Sequence, residues 1–216
     1  MSDLNIRKPG RLYSVLEEIA NAITHGLGAG LAVAGLVVLI VKGFGDPWKV
    51  VSAIIYGVSL IILFTMSCLY HAISNVRAKK VLRVFDHSTI FILIAGTYAP
   101  FTLVTLRGWM GWTIFGVVWG VAVVGIILNA ISIERFKVIS MIGYVASGWC
   151  VVAAAGPMIQ RMELPGLLLL LSGGIAYTAG LVFYALKKVR YMHSIWHLFV
   201  FAGAVLHYFC ILFYVM

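Results

Sequence analysis

Seven stretches of this chain are apolar over about twenty residues each, the length a helix needs to cross the ~30 Å hydrocarbon core of a bilayer. They cover 22–41, 50–70, 86–106, 111–131, 138–158, 165–186 and 193–214. Short connections separate them: 42-KGFGDPWK-49, 72-AISNVRAKKVLRVF-85, 107-RGWM-110, 132-SIERFK-137, 159-IQRMEL-164 and 187-KKVRYM-192. Residues 1–21 read as a cytoplasmic amphipathic lead-in, with Leu12, Val15, Leu16 and Ile19 at helical spacing among charged residues. The pattern predicts an all-α integral membrane protein whose residues 22–216 form a single seven-helix transmembrane domain with no internal repeat. Pro100 and Pro157 fall inside predicted spans and are expected to kink them.

Composition agrees. The chain is 62% hydrophobic and 11% charged, with a mean hydropathy of +1.05, whereas a soluble domain carries about 25% charged residues. The net charge of +9 is spread in short clusters between apolar runs. That distribution suits anionic lipid headgroups and speaks against nucleic acid, which needs a contiguous basic face. Cys68, Cys150 and Cys210 lie far apart within apolar segments, so neither a disulfide framework nor a CxxC metal site is indicated. The first apolar run follows some twenty mostly polar residues that include Glu17 and Glu18, unlike the short basic start of a signal peptide, and reads as a true span.

Basic residues alternate in abundance from one connection to the next. The N-terminal segment and the second, fourth and sixth connections hold twelve Lys and Arg, and the opposite side holds four: Lys42, Lys49, Arg107 and Arg161. Positive charge favours the cytoplasm, so the N-terminus is expected inside and the C-terminus outside.

On that map the ionisable residues gather in one layer. His71 closes the second span, Asp86 and His87 open the third, His193 and His197 open the seventh, and His25 lies near the start of the first. All are expected at the cytoplasmic edge. Ionisable residues are costly in a membrane and face the bundle interior, so such a layer marks a functional site. His193 and His197 are one helical turn apart and share a face. Alone, that spacing is a weak signal and can also be a packing accident. With His71, three neutral imidazoles form the donor set of a zinc site whose fourth position stays open.

Several neighbours have two readings. Asp86 is either a salt-bridge partner of Lys80 or Arg83 at a helix end, or a carboxylate that orients and deprotonates water at the metal, where zinc lowers the water pKa toward ~7. Ser67, one turn before His71, either bonds its i−4 carbonyl or donates to a developing oxyanion. Glu18, Asn21 and His25 form a row that either orients a metal ligand or is a polar helix start. His207 lies ten residues past His197, about 15 Å deeper, and reads as a satisfied core histidine outside the metal site. His87 points about 100° away from Asp86 and reads as interfacial.

Four motifs carry a family resemblance over nearly the whole chain: 17-EEIANAITHGLGAG-30, 67-SCLYH-71, 85-FDHSTIFILIAGTYAPF-101 and 193-HSIWH-197. With these, the sequence resembles the hemolysin III-like branch of the progestin and adipoQ receptor family, in a superfamily that includes alkaline ceramidases. The resemblance implies a seven-helix bundle with a cytoplasmic N-terminus and a zinc ion held by His71, His193 and His197. It implies that Asp86 binds the zinc water, that Ser67 is the motif serine, and that Glu18, Asn21 and His25 belong to the family's first motif. A soluble N-terminal domain like that of the eukaryotic receptors is missing, so hormone reception is not expected.

The leading expectation is a zinc-dependent hydrolase of a lipid amide or ester in the bacterial inner membrane, its substrate arriving by diffusion in the inner leaflet. Asp86 would serve as general base and then acid, and Ser67 would steady the oxyanion. A receptor or sensor with structural zinc is a second class. A pore or transporter ranks third, because a transport path wants ionisable groups through the full depth of the bilayer.

Overall fold

The computed structural model describes residues 13–186 and 189–216. Residues 1–12 of the predicted lead-in, and Lys187 and Lys188 of the sixth connection, lie outside the described residues. Those described form helices α1 (Val15–Lys42), α2 (Pro47–Ala72), α3 (Val76–Pro100), α4 (Trp109–Gly148), α5 (Ala155–Arg161), α6 (Leu164–Ala185) and α7 (Met192–Tyr214). No strand occurs among the described residues. Among the described residues, six helical segments are long and apolar enough to cross a membrane. The protein is a multi-pass membrane protein.

Local sequence sets the helix ends. Ser14 and Glu17 form a reciprocal capping box at the start of α1: the Glu17 amide donates to Ser14 Oγ and the Ser14 amide to Glu17 Oε2. Residues 15–21 are thus the opening turns of α1. Asp46 caps α2 just before Pro47, and the Asn75 side chain accepts from the Arg77 and Ala78 amides to open α3. That cap starts α3 ten residues before the predicted span, so the basic residues 77–83 lie on helix rather than in a loop. Past Pro100 the helix widens into a π turn, Phe101–Thr105, as expected where a proline removes a backbone donor. Upstream of Pro157 the chain runs through a 3₁₀ turn, Cys150–Ala154, into α5.

The segment Trp109–Arg161 spans 53 residues, about 80 Å if it were one straight helix. It is not straight. Ser132 has φ −168° and ψ 111°, the only non-helical residue inside α4. Ser140 Oγ donates to Asn129 Oδ1 at 2.8 Å, although eleven residues of helix would separate them by about 16 Å. Phe91 of α3 packs against both Gly125 and Gly143. The chain therefore reverses at Ser132, and the two halves of α4 lie side by side.

Helix pairs α1–α2, α2–α3, α3–α4, α1–α7 and α6–α7 pack together. Side chains such as Ile23, Leu27, Val117, Ile142, Leu168 and Val182 are exposed on the outside, where lipid would cover them. Polar groups go inside: Glu17, Asn21, His25, His71, Asp86, His193 and His197 are each at most 5% exposed.

Candidate metal centre

Four helices deliver the site. The opening turns of α1 carry Glu18, Asn21 and His25 on one face, and the last turns of α2 carry Ser67 and His71. α3 brings Asp86, and the first two turns of α7 bring His193 and His197. His193 Nε2 lies 3.4 Å from His71 Nε2 and 3.1 Å from His197 Nε2. One ligand nitrogen from each of the three lies within 4.8 Å of the others.

These distances fit a metal. With Zn–N bonds of about 2.0–2.1 Å, the edge of a coordination tetrahedron measures about 3.3–3.4 Å. The same spacing also suits N–H···N hydrogen bonds between the rings, so the tautomers decide which nitrogens are free to bind an ion. For His71 the opposite edge sets the tautomer: Glu18 Oε2 lies 2.6 Å from Nδ1. A histidine donating from Nδ1 to a carboxylate presents a bare Nε2, the usual way a protein orients a metal-binding imidazole. Lys79 Nζ holds the other Glu18 oxygen at 2.6 Å, and Asn21 Nδ2 is 3.5 Å from His71 Nδ1. His25 stacks on His197, ring centroids 3.8 Å apart. The row Glu18–Asn21–His25 thus faces the histidines rather than simply starting a helix.

Asp86 pairs with neither Lys80 nor Arg83 among the described residues; Arg83 Nη1 is bound by Glu134 at 2.6 Å. The Asp86 carboxylate lies 3.5 Å from His87 Nδ1 and is close enough to His25, His71 and His193 to act on each electrostatically. His87 is half-buried and tied inward: Nδ1 donates to the Arg83 carbonyl at 3.0 Å, and the Tyr184 hydroxyl lies 3.3 Å from Nε2. Ser67 Oγ is buried and lies beside the Asp86 carboxylate, close enough to interact with it. The i−4 bond open to it is not made.

A cavity of about 120 Å³ begins at His25, Ser67 and Asp86 and ends near His207. Its wall between the two ends includes Leu63, Ile90, Leu93, Ile94, Leu181 and Val200. It also includes Val145, Gly148 and Thr178, which are exposed, so the cavity reaches the lipid-facing surface between α6 and the second half of α4.

Known proteins resemble the chain along most of its length. The family model described as haemolysin-III related matches residues 13–208. This chain belongs to the haemolysin-III related family. It is 43% identical to Hemolysin-3 of Bacillus cereus over 94% of this chain and 93% of that protein. Identity to the Hemolysin-3 homolog of Bacillus subtilis (strain 168) is 42%, over 94% and 96%. Monocyte to macrophage differentiation factor of Homo sapiens is 31% identical over 90% of this chain and 83% of its own length.

The haemolysin-III match takes in every site residue, together with three neighbours that the sequence did not single out. Tyr13 stacks on His193 with ring centroids 4.4 Å apart, and burial pushes its phenol pKa well up, so it stays neutral. Glu17, fully buried, accepts from the Tyr191 amide at 2.8 Å and ties the start of α1 to the start of α7. Tyr184 reaches His87 from α6. The serine–glutamate cap spacing was readable for Glu17; aromatic neighbours at helix ends carry no such signal, because belt residues look the same.

Proposed function

We propose that this haemolysin-III family member is a zinc-dependent hydrolase of a lipid amide or ester in a bacterial inner membrane. Its helices would cross the membrane seven times with the N-terminus in the cytoplasm. The observation that carries the reading is the junction of two features: three histidine Nε2 atoms spaced for one metal, and an apolar cavity that starts at Asp86 and Ser67 beside them. Among the described residues three ligating side chains converge rather than four, the donor set of a catalytic rather than a structural site.

His71, His193 and His197 would hold the ion, and Glu18 keeps His71 in the ligating tautomer. When bound, zinc supplies Lewis acidity and brings the pKa of water toward ~7. Asp86 takes a proton from the attacking water and returns it to the departing amine or alcohol. Ser67, whose hydroxyl lies beside the Asp86 carboxylate, donates to the oxygen that gains negative charge. The cavity opening toward lipid admits an acyl chain from the leaflet. Its apolar middle disfavours the pore reading, since a transport path needs polar groups along its length.

The reversal at Ser132 supports seven crossings, because the first half of α4, and its second half continued through the 3₁₀ turn and α5, are then each long enough to span a bilayer. The twelve-to-four bias of basic residues supports the orientation. A reporter fused after residue 216 should read extracytoplasmic, and one in residues 77–83 cytoplasmic. For the activity, the purified chain in nanodiscs is offered ceramides, other N-acyl lipids and phospholipids, and free fatty acid is measured. Release from one class is expected. No release from any class with zinc fully bound would shift the assignment to a sensor with structural metal.

A further inference from the structure

The cavity ends, on α7, ten residues beyond His197, where α6 and α7 exchange side chains in a reciprocal way. Gly173 of α6 makes room for the His207 ring: a Cβ on Gly173 would meet His207 Cδ2 at 2.3 Å and Nε2 at 2.4 Å. Gly203 of α7, one turn before His207, makes room for the Tyr177 ring, which a Cβ would meet at 3.0 Å. Tyr177 lies one turn after Gly173. Each helix thus gives up a side chain to seat the other's polar ring, and the two rings sit 5.4 Å apart between centroids.

Both rings keep an uncommitted polar atom. His207 is 7% exposed, and its Nε2 lies 3.0 Å from the Leu170 carbonyl. Nε2 is then the protonated nitrogen, and Nδ1 is a bare acceptor, buried and without a partner. Because the Cδ2–Nε2 edge is pressed on α6, the edge that carries Nδ1 is turned away from α6. The Tyr177 hydroxyl is likewise buried without a partner. Both residues line the cavity that begins at Asp86 and Ser67. A helix interface that needed only packing would use aliphatic side chains here, as the cavity's middle does.

We propose that this far end is a second binding subsite, which takes a hydroxyl group on an aliphatic chain whose head lies at the metal centre. The ligand hydroxyl donates to His207 Nδ1 and accepts from the Tyr177 hydroxyl, so one group satisfies both. The ten residues from His197 to His207 correspond to about 15 Å of helix. An extended chain advances about 1.25 Å per carbon, so the hydroxyl belongs about ten to twelve carbons from the head. The ligand class is a long-chain hydroxy acid or its acyl derivative. The proposal rests on the reading of the cavity as an acyl site, and binding is measured apart from turnover.

The test uses the full chain, zinc-loaded, in nanodiscs. Dissociation constants are measured for fatty acids of eight to sixteen carbons and for the same acids carrying a terminal hydroxyl. The hydroxy acid should bind about tenfold more tightly than its parent, the effect of one well-made hydrogen-bond pair, with the gain greatest near twelve carbons. Tyr177→Phe, which keeps the ring in the Gly203 notch, should erase most of the gain and leave zinc content and the affinity for the parent acid unchanged. His207→Leu should do the same. Equal binding of the two acids, a gain independent of chain length, or a gain intact in Tyr177→Phe would overturn the subsite. A protein that prefers hydroxy acids yet hydrolyses no lipid keeps the subsite and loses the hydrolase assignment. One that hydrolyses lipids without the preference does the reverse.

Discussion

Helix α7 carries three buried histidines, and its two ends use them differently. At its start His193 and His197 are 3% and 0% exposed, and their Nε2 atoms face each other and His71. Ten residues later His207 is nearly as buried, but its Nε2 meets the Leu170 carbonyl. Burial and residue type are shared, so neither decides the chemistry. What differs is the partner offered to Nε2: other imidazole nitrogens at one end, a group that could hold a metal ion, and a carbonyl at the other, which fixes a proton.

The sharpest way to break this contrast is to remove each kind of histidine in turn. His193→Ala combined with His197→Ala should abolish zinc binding and lipid hydrolysis and lower the melting temperature, because bound metal contributes folding free energy. His207→Ala should keep its zinc, measured by metal analysis of the purified proteins. Zinc lost equally from both variants would erase the distinction between the two ends.

Within the metal end, groups that handle protons should separate from groups that hold metal. Asp86→Asn should retain zinc and lose about 10²–10⁴ in hydrolytic rate. Ser67→Ala should lose somewhat less, about 10²–10³, as one oxyanion donor among several. Undiminished turnover in Asp86→Asn would strip that residue of its acid–base role. A smaller effect is expected one step further out. Glu18→Gln leaves the side chain's size but weakens its grip on His71 Nδ1, and zinc should bind about 10–100-fold more weakly. Competition with a chelator of known affinity measures this, and an unchanged affinity would reduce Glu18 to an ion-pair partner of Lys79.

Much of this architecture was legible along the chain, for physical reasons that also explain the gaps. Apolar runs announce membrane helices because lipid imposes their length, and the spacing of His193 and His197 fixes a shared face without any knowledge of the fold. The start of α3 was missed because its basic residues resemble a loop in hydropathy, whereas the Asn75 cap shows that they are helical. The expected connection 132–137 shrinks to one non-helical residue at Ser132, since polar side chains at a membrane edge do not require the helix to stop. Glu18 was placed in a motif, but its bond to His71 joins α1 to α2 across 53 positions, a register that no local pattern encodes. The same holds for Gly173 and Gly203. In sequence they look like ordinary small residues of a membrane helix, and only the pairing of α6 with α7 reveals what each one seats.

In the proposed centre His71, His193 and His197 bind one zinc ion. X-ray absorption at the zinc edge on the purified chain tests it directly. About one zinc per protein is expected, with histidine nitrogens at about 2.0–2.1 Å, a signal that disappears when His193 and His197 are both replaced by alanine. A protein that takes up no zinc, or a double variant that holds the full complement with unchanged nitrogen ligation, would contradict it.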